Sequence, residues 1–262
     1  MVPVAALAMP ENCTISAPAG ALAANVASLG ALFWAPFGRP ETGWTVYYPK
    51  IAVEIGTTCP VAMPGFATKL AGWQVNHRFA PTGVFDPLTF AAMKVKWQWA
   101  RPFVHVDGKT ACPPPPPPDR LAAATAAESY GGKAVFLRPG ALAAYRAMVA
   151  AARRDPAVAA EPRSLMIFSA FRDPAADAVR CATENNCNSI VRATCSAHRT
   201  GLALDMWVGA APGYGPDSTA DANRAAMIRT PSYRWLLVNA AKYGFVNYVF
   251  EPWHWEWIGE PI

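Results

Sequence analysis

The sequence predicts an α+β fold for the C-terminal half of the chain, preceded by a small helical module. Two observations carry this. A run of six prolines, Pro113–Pro118, punctuates the middle of the chain, and proline fixes φ and removes a donor, so the run is expected as an extended spacer. After it, apolar residues recur at helical spacing in some stretches and as short continuous or alternating runs in others, the mixed pattern of helices around a small antiparallel sheet.

Before the spacer, Phe66, Leu70 and Trp73 follow helical spacing. Pro81-Thr82-Gly83 is turn chemistry, and Asp86-Pro87 starts a second helix with Asp86 as N-cap, along which Phe90, Met93 and Trp97 recur. Upstream, Gly20 to Gly38 is uncharged and reads as a buried helix and turn, with a membrane anchor as the alternative.

After the spacer, Pro139 to Arg154 reads as an amphipathic helix with Leu142, Tyr145, Met148, Val149 and Ala152 on one stripe. Leu165 to Phe171 is a continuous apolar run and reads as a buried strand. Pro174 to Glu184 is a helix with Asp173 as N-cap. Leu202 to Val208 is a strand, Ser232 to Tyr243 a helix stopped by Gly244, and Phe245 to Phe250 and Trp253 to Ile258 two more strands. The expected divisions are an N-terminal segment, 1–60, a helical module, 61–101, a proline-rich linker, 102–120, and the α+β domain, 121–262.

Hydrophobic residues make up 53% of the 262, but much of that share is alanine, so the ten Trp residues are the stronger core formers. A net charge of +5 with no basic run gives no nucleic-acid signature, only weak attraction to anionic polymers such as cell wall. The six cysteines are an even set, which points to disulfides and an oxidising compartment. Cys181, Cys187 and Cys195 flank one loop, and one bridge is expected inside that trio; a zinc knot is disfavoured because no C-x-x-C pair exists. Residues 1–10 are apolar without a basic n-region, so no export signal is evident there.

Two strings concentrate the chemistry. The first runs from Ser196 through His198 and Gly201 to Asp205; the second is Glu251-Pro-Trp-His254-Trp. Asp205 on an apolar strand is costly unless paired or bound to a metal. Gly201 can turn the chain so that His198 comes back over Ala203, whose small side chain leaves room for an ion. Pro252 breaks the strand path, so Glu251 and His254 can reach the same point. His198, Asp205 and His254 then make two imidazoles and a carboxylate with a fourth position open, the composition of a catalytic zinc site. Glu251, a carboxylate that is not a ligand, can take a proton from water. His77 and His105 are expected as satisfied core residues instead.

The strings S-x-H-x-x-G-x-A-x-D and E-P-W-H-W resemble the VanY-type D-alanyl-D-alanine carboxypeptidases of the LAS metallopeptidase group, and Ser169-Ala-Phe-Arg172 resembles that family's S-x-Y-R motif with Phe171 in place of tyrosine. The resemblance runs from about Arg138 to Pro261. It implies a LAS-type zinc peptidase domain with a small antiparallel sheet and flanking helices. It also implies zinc on His198, Asp205 and His254, Glu251 as base and then acid, Arg172 as oxyanion stabiliser, and Ser196 in substrate binding. Thr82, Gly83, Phe85, Asp86 and Thr89 resemble the core of the small helical peptidoglycan-binding domain often joined to wall hydrolases. Together these imply an exported, periplasmic or cell-wall enzyme, expected as a monomer with no protein partner, that removes the terminal D-alanine of peptidoglycan stem peptides. The alternatives are an endopeptidase of stem peptides or cross-bridges, favoured by the short segment before Glu251, and a non-catalytic wall-binding protein.

Overall fold

The computed structural model describes residues 11–106, 112–184 and 195–262. The chain divides into two compact units, Met1–Met93 and Lys94–Ile262.

The first unit holds α1 (Ala21–Leu29), a short hairpin of β1 (Phe33–Trp34) and β2 (Glu41–Thr42), α2 (Tyr48–Glu54), α3 (Pro64–Asn76) and most of α4 (Pro87–Trp99). Its core is aromatic: Trp44 lies against Phe85 with ring centroids 4.3 Å apart, and Trp34 against Phe90 at 4.7 Å. The turn between α3 and α4 is held by two buried amides. Asn25 of α1 donates to the Gly83 carbonyl and accepts from the Phe85 amide, at 2.8 and 2.7 Å. Gln74 of α3 accepts from the Gly83 amide at 2.8 Å. Gly83 is required there: its φ is +64°, and a Cβ would stand 2.7 Å from the Ala67 carbonyl oxygen. Asp86 caps α4 by accepting from the Thr89 amide at 2.7 Å, as its sequence position predicts. Cys13–Cys59 closes the unit.

The buried helix expected between Gly20 and Gly38 is a helix but not a buried one. α1 buries Ala21 and Asn25, while Val26 is 48% exposed. Alanine supplies hydropathy to a count but little side chain to bury. Among the described residues no helix is long and apolar enough to cross a membrane. His77 and His105 are not core either. His77 is exposed, stacked on Trp73 at 3.8 Å, and His105 is half-buried; their ring nitrogens meet the Trp73 and Trp99 carbonyls, each at 2.8 Å.

The second unit is built on a four-stranded antiparallel sheet of β5 (Ile167–Ser169), β6 (Ala203–Met206), β7 (Phe245–Asn247) and β8 (His254–Trp257), in the order β5-β6-β8-β7. A two-residue ladder joins β3 (Ala122–Ala123) to β4 (Phe136–Leu137). Helices flank the sheet: α5 (Pro139–Ala152), α6 (Pro156–Ala159), α7 (Pro174–Glu184), α8 (Asp221–Met227) and α9 (Pro231–Asn239). This is the α+β class that the sequence predicts. In α5 the expected stripe faces inward, with Leu142, Tyr145, Met148 and Ala152 buried, and the Tyr145 hydroxyl donates to the Leu165 carbonyl at 2.9 Å. Asp173 caps α7 through the amides of Ala175 and Ala176. The strand expected over Leu165–Phe171 is only Ile167–Ser169, because Leu165 takes a left-handed φ of 66° and the register shifts between Ile167 and Ser169.

The proline run lies within this second unit. Pro117 is extended, with φ −65° and ψ 155°, whereas Pro118 opens a 3-10 turn to Arg120. Ahead of the run, Pro102–His105 forms a 3-10 turn whose Phe103 is buried against Ala197 and Ala203. Cys112 is bonded to Cys195, so Cys195 pairs outside the trio in which the sequence places a bridge. Cys187 and the side chain of Cys181 lie outside the described residues.

Candidate metal and catalytic centre

The sheet register builds the centre. Asp205 of β6 and His254 of β8 are directly opposed, so their side chains leave the same face of the sheet. His198 arrives from a 3-10 turn, Ala197–Thr200, which Ser196 caps by accepting the His198 amide at 3.3 Å. Gly201 ends that turn with a φ of +70°, the chain reversal its place in the sequence predicts. Glu251 sits on the turn between β7 and β8. Its own amide bonds the Tyr248 carbonyl, and the His254 amide bonds the Glu251 carbonyl. Buried Asn247 ties the same turn, donating to the carbonyls of Glu251 and His254 at 3.2 and 2.9 Å.

Three side chains converge. His254 Nδ1 is 2.9 Å from Asp205 Oδ1, His198 Nε2 is 3.2 Å from Asp205 Oδ2, and the two ring nitrogens are 3.2 Å apart. All three residues are buried. His198 Nδ1 lies 2.8 Å from the Ala170 carbonyl, which can only accept, so the proton sits on Nδ1 and Nε2 presents a lone pair inward. Burial pushes the His198 pKa down, against the pull of Asp205, which favours that neutral form. Asp205 is ionised: burial alone would raise its pKa, and the two imidazoles more than reverse this. His254 Nδ1 meets the ionised Asp205 and the His198 lone pair and so carries a proton here. Once that proton leaves, two imidazole nitrogens and a carboxylate converge in a set that fits a divalent metal of the zinc type. Among the described residues the other cluster of ligand-type side chains, Glu11, Cys13 and Cys59, does not fit, because both sulfurs are already bonded to each other.

Glu251 Oε2 stands 3.9 Å from His254 Nδ1, at the edge of the cluster. Its side chain keeps 28% exposure, yet the surrounding protein is dense enough that desolvation raises its pKa above the ordinary value, opposed by His254 and reinforced by Asp205. Arg172 Nη2 donates to Ser196 Oγ at 2.8 Å, and its Nε is 3.5 Å from Asp177 Oδ2. Its charge acts on both His198 and Glu251. Ser196 therefore holds the His198 turn and Arg172 together. Of the six residues singled out in the sequence, four form the cluster and its edge, and Arg172 and Ser196 form a bonded pair beside it.

Sequence reasoning missed Glu256. It is 2% exposed, 3.5 Å from His254 Nε2, and bonded to Arg101 and to the Phe103 amide. A signal existed: Glu256 is two residues from His254 on one strand, so it shares its face, and a carboxylate among tryptophans needs a partner.

The family model described as VanY, D-alanyl-D-alanine carboxypeptidase, matches residues 134–260. Among solved structures the chain is similar to the LdcB LD-carboxypeptidase, a structure described as revealing the basis of peptidoglycan recognition. That likeness is at 21% identity and a TM-score of 0.39, over 54% of this chain and 69% of that one. No curated protein matches the chain.

Proposed function

On the premise that residues 134–260 form a VanY-type D-alanyl-D-alanine carboxypeptidase domain, we propose that this protein is a zinc-dependent peptidase that removes the terminal D-alanine from peptidoglycan stem peptides. The observation that carries the reading is the meeting of His198 Nε2, Asp205 and His254 Nδ1 within 4.8 Å, with the Glu251 carboxylate beside them.

Zinc held by these residues would supply Lewis acidity to the scissile carbonyl and acidify a water. Glu251 takes the proton of the attacking water as its oxygen bonds the carbonyl carbon. As the carbon–nitrogen bond breaks, Glu251 returns that proton to the amine of the departing alanine. Its raised pKa suits both roles. Arg172, steadied by Ser196, holds the negative charge that develops on the carbonyl oxygen. In this reading Ser196 acts through Arg172 and the His198 turn.

The disulfides Cys13–Cys59 and Cys112–Cys195 support an oxidising location, periplasmic or at the cell wall. The unit Met1–Met93 is proposed to hold glycan, since its Thr82–Thr89 turn carries the residues that resemble a wall-binding module. No partner protein is needed for the chemistry, and the enzyme is proposed to act as a monomer.

The test is mass spectrometry of muropeptides digested with zinc-loaded protein. Loss of one alanine from pentapeptides supports the carboxypeptidase. Cleavage of cross-linked dimers with pentapeptides untouched would move the assignment to an endopeptidase. No change in any muropeptide would leave a wall-binding protein.

A further inference from the structure

We infer that Glu256 is a positioning residue for the metal ligand His254, and that it is locked in place by Arg101 and Phe103, which precede the matched domain. The inference rests on the metal-site reading above and extends it to residues outside 134–260.

A metal on Nδ1 of His254 leaves the ring proton on Nε2. Such a proton needs an acceptor, because metal-bound imidazoles almost always give their second N–H to a carboxylate, carbonyl or water, and this fixes ring orientation and raises ligand basicity. Here His254 Nε2 is buried and makes no hydrogen bond among the described residues. The carboxylate facing it is Glu256, with Oε1 at 3.5 Å, an ion-pair contact slightly longer than a hydrogen bond.

The carboxylate itself is fixed from behind. Arg101 Nε and Nη2 reach Oε1 at 2.7 and 2.6 Å, and the Phe103 amide donates to Oε2 at 3.1 Å. Arg101 in turn lies over the Tyr248 ring, 4.1 Å from its centroid, and donates to Gln98 at 3.1 Å. Phe103 is anchored against Ala197 and Ala203, which flank His198 and Asp205 in sequence. One segment, 101–103, therefore braces the outer side of the centre. Arg101 also offsets the second carboxylate, so that Glu256 does not add a net negative charge beside Asp205.

The experiment uses the full chain, wild type and Glu256→Gln, prepared metal-free. Zinc dissociation constants are measured by competition with a chromophoric chelator, alongside the metal-free thermal midpoint. Nitrogen-15 NMR of histidine in zinc-loaded wild type reads the His254 tautomer and the exchange of its Nε2 proton. The expected result is a zinc affinity weaker by tenfold or more in Glu256→Gln, with a slowly exchanging Nε2–H on His254 in wild type. Equal zinc affinity in the two folded proteins would overturn the inference alone, as would a freely exchanging or absent Nε2–H in wild type. The NMR arm decides the matter if Glu256→Gln does not fold. Wild type that takes up no zinc would overturn the zinc reading and this inference with it.

Discussion

Asp205 and His254 are register partners on neighbouring antiparallel strands, and their side chains meet at 2.9 Å. The sheet therefore presets two of the three proposed metal ligands, and His198 depends on a separate turn. Asp205→Ala is expected to abolish stoichiometric zinc binding while the backbone ladder of the sheet remains. Metal analysis after dialysis, beside circular dichroism, checks both halves of that statement.

Metal-free protein should show an inverted pH dependence at this site. Burial lowers the His254 pKa, but the hydrogen bond to Asp205 and the Glu256 carboxylate outweigh it and raise the value to about 9. The folded value lies above the ordinary 6.5. The stabilisation is therefore fully present below that ordinary value and is lost as pH rises through about 9. Zinc needs His254 Nδ1 unprotonated, so its apparent affinity should rise with pH over the same window, by about tenfold per unit for one displaced proton. Thermal midpoints with and without zinc, taken across that window, should diverge as pH rises.

Glu251 predicts the acid limb of activity. Desolvation raises its pKa above the ordinary 4.5, and only the ionised carboxylate can take a proton from water. In the zinc-loaded enzyme the bound cation would also favour the ionised carboxylate, so the kcat/KM profile should rise with pH as Glu251 ionises. A profile with no acid limb would contradict Glu251 as the base.

Arg172 and Ser196 should separate by size of effect. Arg172→Ala removes the charge proposed to meet the oxyanion and is expected to lower kcat by about 10²–10³ with little change in zinc content. Ser196→Ala leaves the guanidinium but loosens it and uncaps the His198 turn, so a smaller loss of kcat is expected. Steady-state kinetics with metal content measured on the same samples would rank them.

In the first unit, Asn25→Ala would leave the Gly83 carbonyl and Phe85 amide unpaired in a buried turn. The expected loss is about 1–3 kcal/mol per unsatisfied group. Denaturant unfolding followed by tryptophan emission should register it without altering zinc affinity.

The centre was legible because its chemistry is dense in sequence. His198 and Asp205 bracket a glycine turn, and Pro252 marks the bend that brings Glu251 round to His254. Strand period gave the Asp205 face, and helix period gave α5 and the helix pair around Gly83. What stayed hidden depends on distance along the chain. Arg101 reaches Glu256 across 155 residues, and Cys112 reaches Cys195 across 83, neither of which local spacing encodes. Asn25, 58 residues from Gly83, reads only as a polar break in an alanine-rich helix. His77 and His105 were misjudged for a related reason: a ring satisfied by a backbone carbonyl at the surface looks, in sequence, the same as one in a core.

The most direct measurement is D-alanine release from a pentapeptide muropeptide by zinc-loaded wild type and Glu251→Gln, with zinc content determined in both. Full zinc occupancy in both proteins, release by wild type, and a fall of about 10²–10⁴ in Glu251→Gln are the predicted result. Undiminished release by a zinc-loaded Glu251→Gln would contradict it.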